Sequence, residues 1–250
     1  MTYVFTDIHG DMNAWLAMKE KFGSPENTLI FLGDACDRGS KGYEIMKDMV
    51  KTKNLIYLKG NHEDMFVKTA KAIRRWMREN ALSVEEVKLL DIFEICNDSE
   101  DYYLHINNGG INTINAWIQD NMPIGIVEKI ANLDYWYENG KYDMCHAGCS
   151  AEIWKVFCEE FEEECLWDRT HLNQDWEDGR ILIHGHTPTT SGMFRFIADV
   201  NHKRKHIPIK YANDTKINLD TRSIEMPYLW IYCLETEEFI KVEKKDEASA

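Results

Sequence analysis

The sequence predicts an α/β fold, and three observations carry that reading. Short apolar runs alternate with helix-like stretches through the first third of the chain. Five clusters rich in Gly, Asp, Asn and His stand where such apolar runs end. The 250 residues are 44% hydrophobic, ample for a packed core, and 29% charged, as expected of a soluble surface.

Residues 3–6 read as a strand, Met12–Phe22 as a helix, residues 28–32 as a strand, residues 41–50 as a helix and residues 55–58 as a third strand. Such alternation implies parallel strands joined by right-handed crossovers, with a site in the loops at one edge, the strands' carboxyl ends. Residues 63–80 read as a long helix with Phe66, Ala70, Ile73 and Met77 along one face. Ser83 with Glu86 resembles a capping box, opening a second helix that runs to Cys96. Asn107, Asn108, Gly109 and Gly110 signal a turn, with helical sequence continuing to about Trp136. Residues 63–136 are thus expected to be a helical insertion. Strands resume at Tyr142–Cys145, Ile181–His184 and residues 216–219, 229–234 and 239–242, the last two as a hairpin across Glu235, Thr236 and Glu237. No repeat or low-complexity linker marks a boundary, so residues 1–243 are expected to form one domain and residues 244–250 a solvated tail.

A net charge of -14 argues against binding a nucleic-acid polymer, which requires a basic footprint. There is no apolar run long enough for a bilayer and no signal-peptide pattern at the N-terminus, so no membrane partner and a cytoplasmic location are expected. Seven scattered Cys without a Cys-x-x-Cys pair read as free thiols in a reducing compartment. The acidic run at residues 159–164 reads as a solvated helix face, and the chain as a monomer.

The five clusters are Asp7-Ile8-His9-Gly10, Gly33-Asp34-Ala35-Cys36-Asp37-Arg38-Gly39, Gly60-Asn61-His62-Glu63, His146-Ala147-Gly148 and Gly185-His186-Thr187. Tight turns use Asp, Asn and Gly, but no turn needs imidazole. Recurrence at five strand ends therefore points to a metal site. Hard oxygen and borderline nitrogen donors together suit Mn²⁺, Fe or Zn²⁺ rather than a calcium cage or a thiolate zinc site.

These motifs resemble those of the PPP-family phosphoprotein phosphatases, within the calcineurin-like metallophosphoesterases, in the short form of bacterial and phage enzymes. The likeness runs from Asp7 to His186, and Asp220-Thr221 is similar to a later family element. It implies a two-sheet β-sandwich core flanked by helices and two divalent metal ions, Mn²⁺ foremost. It further implies that Asp7 and His9 bind the first metal, that Asp34 bridges both, and that Asn61, His146 and His186 complete the second. A hydroxide shared by the ions would be the nucleophile. Arg38 is expected to clamp phosphate bidentately, and Arg169 either to act as a second clamp or to pair with Asp168 or another acid. His62, oriented by Asp37, is expected to donate the proton to the leaving oxygen. Two divalent ions against Asp7, Asp34 and hydroxide leave about one positive charge, and the arginines add two, so the site is cationic in an acidic chain.

The implied activity is phosphate monoester hydrolysis on a phosphoprotein or small phosphoester, foremost by a serine/threonine phosphoprotein phosphatase. The alternative is a symmetrical diadenosine tetraphosphate hydrolase. A non-catalytic scaffold would have lost ligands, and none is lost. Two departures stand out. Thr6 replaces the family's first Gly. Arg222 replaces a later Gly, either strained at positive φ or reaching towards the cleft. His184 is read as structural, and His105, His171, His202 and His206, lacking any motif, as surface or core residues.

Overall fold

Two mixed five-stranded sheets pack face to face, with helices covering their outer faces. The structure is a computed structural model that describes residues 1–95, 99–156, 161–194 and 206–244.

The first sheet is built from β1 (Thr2–Phe5), β2 (Thr28–Phe31), β3 (Leu55–Tyr57), β9 (Tyr228–Cys233) and β10 (Glu238–Glu243), in the order β10-β9-β1-β2-β3. The second contains β4 (Trp136–Asn139), β5 (Tyr142–Cys145), β6 (Ile181–His184), β7 (Ile209–Tyr211) and β8 (Lys216–Asn218), in the order β4-β5-β6-β8-β7. Each has a parallel run, β1-β2-β3 in one and β5-β6-β8 in the other, with antiparallel strands at one edge of the first sheet and at both edges of the second.

Successive side chains on a strand point to opposite faces, and both faces here are buried. Val4, Ile30, Tyr142, Met144, Ile183 and Ile217 therefore fill the layer between the sheets. Phe5, Leu29 and Phe31 face the opposite way, towards helices α1 (Met12–Phe22), α2 (Gly42–Met49) and α3 (Asn61–Glu79). Cys145 and Leu182 face outward from the second sheet, into an aromatic cluster of Trp154, Phe161 and Trp176 on the side of α8 (Ala151–Val156) and α9 (Phe161–Trp167). Cys36, Cys145, Cys149, Cys165 and Cys233 are free and buried, as the sequence suggested, while Cys96 and Cys158 lie outside the described residues.

Helix starts follow their caps. Asp11 accepts from the Ala14 N–H at 3.0 Å and opens α1, whose Trp15, Met18 and Phe22 pack on the first sheet. The expected insertion holds α3, α4 (Val84–Val87), α5 (Glu100–His105), α6 (Ile111–Gln119) and α7 (Ile124–Ala131). Phe66, Ala70 and Ile73 of α3 are buried as its periodicity required.

Several boundaries differ from expectation. The helix capped by Ser83 and Glu86 is one turn, not a run to Cys96; beyond it Leu89 is exposed and Asp91 accepts from the Phe93 N–H at 2.9 Å, a local turn. Residues 107–110 belong to a π-helical turn, Ile106–Gly110, with Gly109 at φ +97, that joins α5 to α6. Trp136 opens β4 rather than ending a helix, and β7 was not expected at all. Lys244, the first residue of the expected tail, has its ammonium held by Asp11 and the carbonyls of Ser223 and Met226, while residues 245–250 lie outside the described residues. No helix among the described residues is long and apolar enough to cross a membrane.

Candidate active site

The five polar clusters meet, but across two sheets rather than along one edge: three follow β1, β2 and β3, and two follow β5 and β6. Backbone bonds fix the first two loops to each other. Asp7 N–H donates to Gly33 O at 3.1 Å, His9 N–H to Asp34 O at 3.0 Å and Gly10 N–H to Ala35 O at 2.8 Å. Asp7, His9, Asp34, Asp37, Arg38 and His186 all have positive φ, a concentration of left-handed backbone that aims side chains inward.

Glycines make the close approach possible. A Cβ at Gly60 would lie 2.3 Å from Asp34 Oδ1, and one at Gly185 would lie 2.2 Å from Asp7 Oδ2. Glu63, fully buried, staples the assembly: Oε2 accepts from Asp34 N–H at 2.7 Å and Gly60 N–H at 2.9 Å, while Oε1 accepts from Ala35 N–H and the Tyr57 hydroxyl at 2.7 and 2.8 Å. It stands three residues after the N-cap Gly60, because α3 begins at Asn61 and not at residue 63 as expected, and neither that capping place nor its hold on the second loop was read from the sequence.

All six expected ligands converge. His9 Nε2 lies 3.8 Å from Asp7 Oδ1 and 3.6 Å from Asp34 Oδ2. His146 Nε2 lies 3.4 Å from Asp34 Oδ1 and 2.9 Å from Asn61 Oδ1, which is also 3.0 Å from His186 Nδ1. Donor atoms of His9, Asp34 and His62 lie within 4.8 Å of one another, as do those of Asp34, His146 and His186, so Asp34 belongs to both halves.

These residues fit divalent metal. His9 Nδ1–H donates to Cys36 O at 3.1 Å and His146 Nδ1–H to Leu32 O at 3.0 Å, which leaves each Nε2 as an inward lone pair. His186 Nε2 is buried without a hydrogen-bond partner among the described residues. Burial, then repulsion from neighbouring carboxylates, pushes Asp7 and Asp34 well above the usual carboxyl range. Burial likewise pushes Asp220 up to about 6 and His146 down to about 3. Bound cations would relieve the repulsion and use the neutral imidazoles. Asp220, buried beside Asp7 at the end of β8, is a carboxylate that the sequence-based charge count left out.

His62 stands at the junction. Its N–H donates to Asp34 Oδ1 at 3.1 Å, its Nδ1–H donates to Asp37 Oδ2 at 2.7 Å, and Arg38 Nη2 donates to its Nε2 at 3.2 Å. Burial alone would raise the Asp37 carboxyl, but the His105 and His62 imidazoles outweigh it and hold the group below the carboxylate range. Arg38 and Arg169 are exposed, and among the described residues Arg169 forms no ion pair with Asp168 or any other acid. The Asp168 carboxylate instead accepts from the Thr170 and His171 backbone at 2.7 and 3.1 Å.

The remaining expectations also resolve. Thr6 Oγ1 donates to Asp7 Oδ2 at 2.5 Å, so the departure from Gly adds a hydrogen bond at the ligand. Arg222 does adopt positive φ (+55), and its guanidinium turns to Glu225 at 3.0 Å. His184 faces Tyr211 at 2.6 Å, away from the ligands, and His171 donates to Ala147 O at 2.8 Å. His206 bonds Thr221 O at 2.9 Å; His202 lies outside the described residues, as do residues 159 and 160 of the acidic run. His105 is core, as expected, yet it reaches Asp37.

The family profile of calcineurin-like phosphoesterases matches residues 2–210. The chain belongs to the calcineurin-like phosphoesterases. It is therefore a metal-dependent phosphoesterase, and the buried Asp–His assembly holds groups of side chains that could bind a metal ion. Among curated proteins it is similar to the asymmetrical bis(5'-nucleosyl)-tetraphosphatase PrpE of Bacillus velezensis, 24% identical over 220 residues, covering 74% of this chain and 76% of that one. Its fold is similar to that of a provisionally named diadenosine tetraphosphatase, with TM-score 0.57, 13% identity and coverage of 98% and 94%. It is likewise similar to a serine/threonine phosphatase from Saccharomyces cerevisiae, with TM-score 0.53, 14% identity and coverage of 98% and 80%.

Proposed function

We propose that this phosphoesterase cleaves phosphate monoesters with poor, alkoxide-type leaving groups, foremost phosphoserine and phosphothreonine in proteins, at Asp7, His9, Asp34, Asn61, His146 and His186. The observation that carries the reading is His62, buried, braced by Asp37 at 2.7 Å and presenting Nε2 beside Asp34 and Arg38. An alkoxide is a strong base that leaves only when protonated, so a positioned acid matters most for such substrates.

The residues divide the task. Arg38 and Arg169 offer fixed positive charge to phosphate oxygens. In the free site Arg38 donates to His62 Nε2; a phosphate that takes over this guanidinium releases Nε2 to carry a proton. Asp37, an acceptor only, keeps Nδ1 protonated and stabilises the imidazolium. When bound, two divalent ions at the Asp–His assembly would supply Lewis acidity and a strong nucleophile from water near neutral pH. Mn²⁺ is the metal proposed first, and oxygen and imidazole donors without thiolate suit Fe and Zn²⁺ as well.

A second reading, dinucleoside tetraphosphate hydrolysis, is favoured by the likeness to PrpE. That relative is named for asymmetrical cleavage, whereas the sequence motifs suggested the symmetrical kind. A polyphosphate leaving group needs less protonation, which separates the readings. Hydrolysis of a phosphoserine peptide and of diadenosine tetraphosphate, each with Mn²⁺, is the test. Higher kcat/KM on the peptide is expected; the reverse order overturns the substrate, and no metal-dependent hydrolysis of either overturns the proposal.

A further inference from the structure

One oxygen of Asp37 holds two imidazoles. Its Oδ2 accepts from His62 Nδ1–H at 2.7 Å and from His105 Nε2–H at 2.8 Å, and all three side chains are buried. His105 comes from the last turn of α5, 68 residues away in sequence and outside every motif. The segment that follows tightens the same point. Gly109 O accepts from Arg38 N–H at 3.0 Å, and Thr113 Oγ1 accepts from Asp37 N–H at 3.0 Å. Asp37 and Arg38 thus sit in consecutive left-handed conformations, φ +67 and +63, clamped by residues 105, 109 and 113. Gly110 admits the imidazole, since a Cβ there would lie 2.4 Å from His105 Cδ2.

Asp37 Oδ1 has no hydrogen-bond partner among the described residues, so the carboxylate is fixed chiefly through the two imidazoles on Oδ2. Without His105, the group could turn its second oxygen towards His62 or swing away, and the His62 ring would lose its fixed angle. We propose that His105 is a positioning residue for the proton donor: it locks the Asp37 carboxylate, and through it holds His62 with Nδ1 protonated and Nε2 in the site. The inference rests on the function assigned to His62 above. It gives the helical insertion a part in the chemistry, which a merely packed core histidine would not have.

The test compares His105→Phe and His105→Gln in the full chain with Mn²⁺, on a phosphoserine peptide and on p-nitrophenyl phosphate, whose leaving group needs little protonation. His105→Phe is expected to lower kcat on the peptide about 10- to 100-fold, within the share that a general acid contributes, with KM nearly unchanged. Loss on p-nitrophenyl phosphate should be about threefold or less, and His105→Gln, whose amide nitrogen reaches the place of Nε2 and can donate to the same oxygen, should recover most activity. On an Asp37→Ala background, His105→Phe should cost nothing further. Equal loss on both substrates, undiminished activity, or a full additional loss on that background overturns the role.

Ring-nitrogen NMR of histidine in the parent and in His105→Gln supplies an arm independent of turnover. The parent should show His105 Nε2 and His62 Nδ1 protonated; an unprotonated His105 Nε2 overturns the proposal even if His105→Phe does not fold. A parent that hydrolyses neither substrate sinks the assigned function, while the NMR arm still decides the positioning role.

Discussion

The His186 N–H donates to Asp7 Oδ2 at 3.1 Å, joining residues 179 apart in sequence and closing the second sheet onto the first. The centre is thus a seam between two sheets, and its carboxylates hold the seam as well as any metal. Metal binding and folding stability should therefore move together.

Chelation is expected to abolish activity and lower the melting temperature, because Asp7, Asp34 and Asp220 are left buried with their mutual repulsion. Mn²⁺ at about a hundredfold excess over its Kd should restore activity and add about 5–10 °C. Scanning calorimetry with and without chelator reads this. A melting temperature indifferent to Mn²⁺ would exclude the coupling.

Arg38→Ala and Arg169→Ala should each reduce kcat/KM about 10- to 100-fold, the value of one charged hydrogen bond to phosphate. Melting temperatures should barely change, because both side chains are exposed. If Arg169→Ala left kinetics intact, that residue would not be a phosphate clamp.

Glu63→Gln should destabilise by about 2 to 4 kcal/mol in urea unfolding, since the amide nitrogen replaces an oxygen that accepts two of the four contacts and leaves at least one backbone N–H facing a donor in a buried site. Metal affinity should fall with it. A change below about 0.5 kcal/mol, the scale of surface substitutions, would mean that the staple is slack.

His171 tests the acid side. Burial, then Lys216, depresses its imidazole from 6.5 to about 4. The folded form binds fewer protons than the unfolded chain, so this contribution is full above pH 6.5 and is lost as pH falls towards 4, by about 3 kcal/mol. His171→Asn should therefore show a flatter loss of stability across that window than the parent. Parallel curves would contradict the assignment.

The gathering of the candidate ligands Asp7, His9, Asp34, Asn61, His146 and His186 was legible, because imidazole recurs with Asp and Asn at strand ends where turns have no need of it. His105 was not, because its meaning lies in a contact 68 residues away that leaves no local pattern. Sheet centres were legible from continuous apolar runs, but β4 and β7 were not. Trp136-Tyr137-Glu138-Asn139 and Ile209-Lys210-Tyr211 are short edge strands, defined by their pairing partners rather than their own composition. The conformation at Arg222 was not legible either, since side-chain identity alone does not set φ.

The most direct measurement is metal content alongside turnover in the parent and in Asp34→Asn, the residue shared by both halves of the centre. The parent should bind two Mn²⁺ ions per chain and hydrolyse a phosphoserine peptide, and the substitution should cost at least one ion and nearly all turnover. Full hydrolysis by the metal-stripped parent, or by Asp34→Asn with its metal lost, would contradict the account.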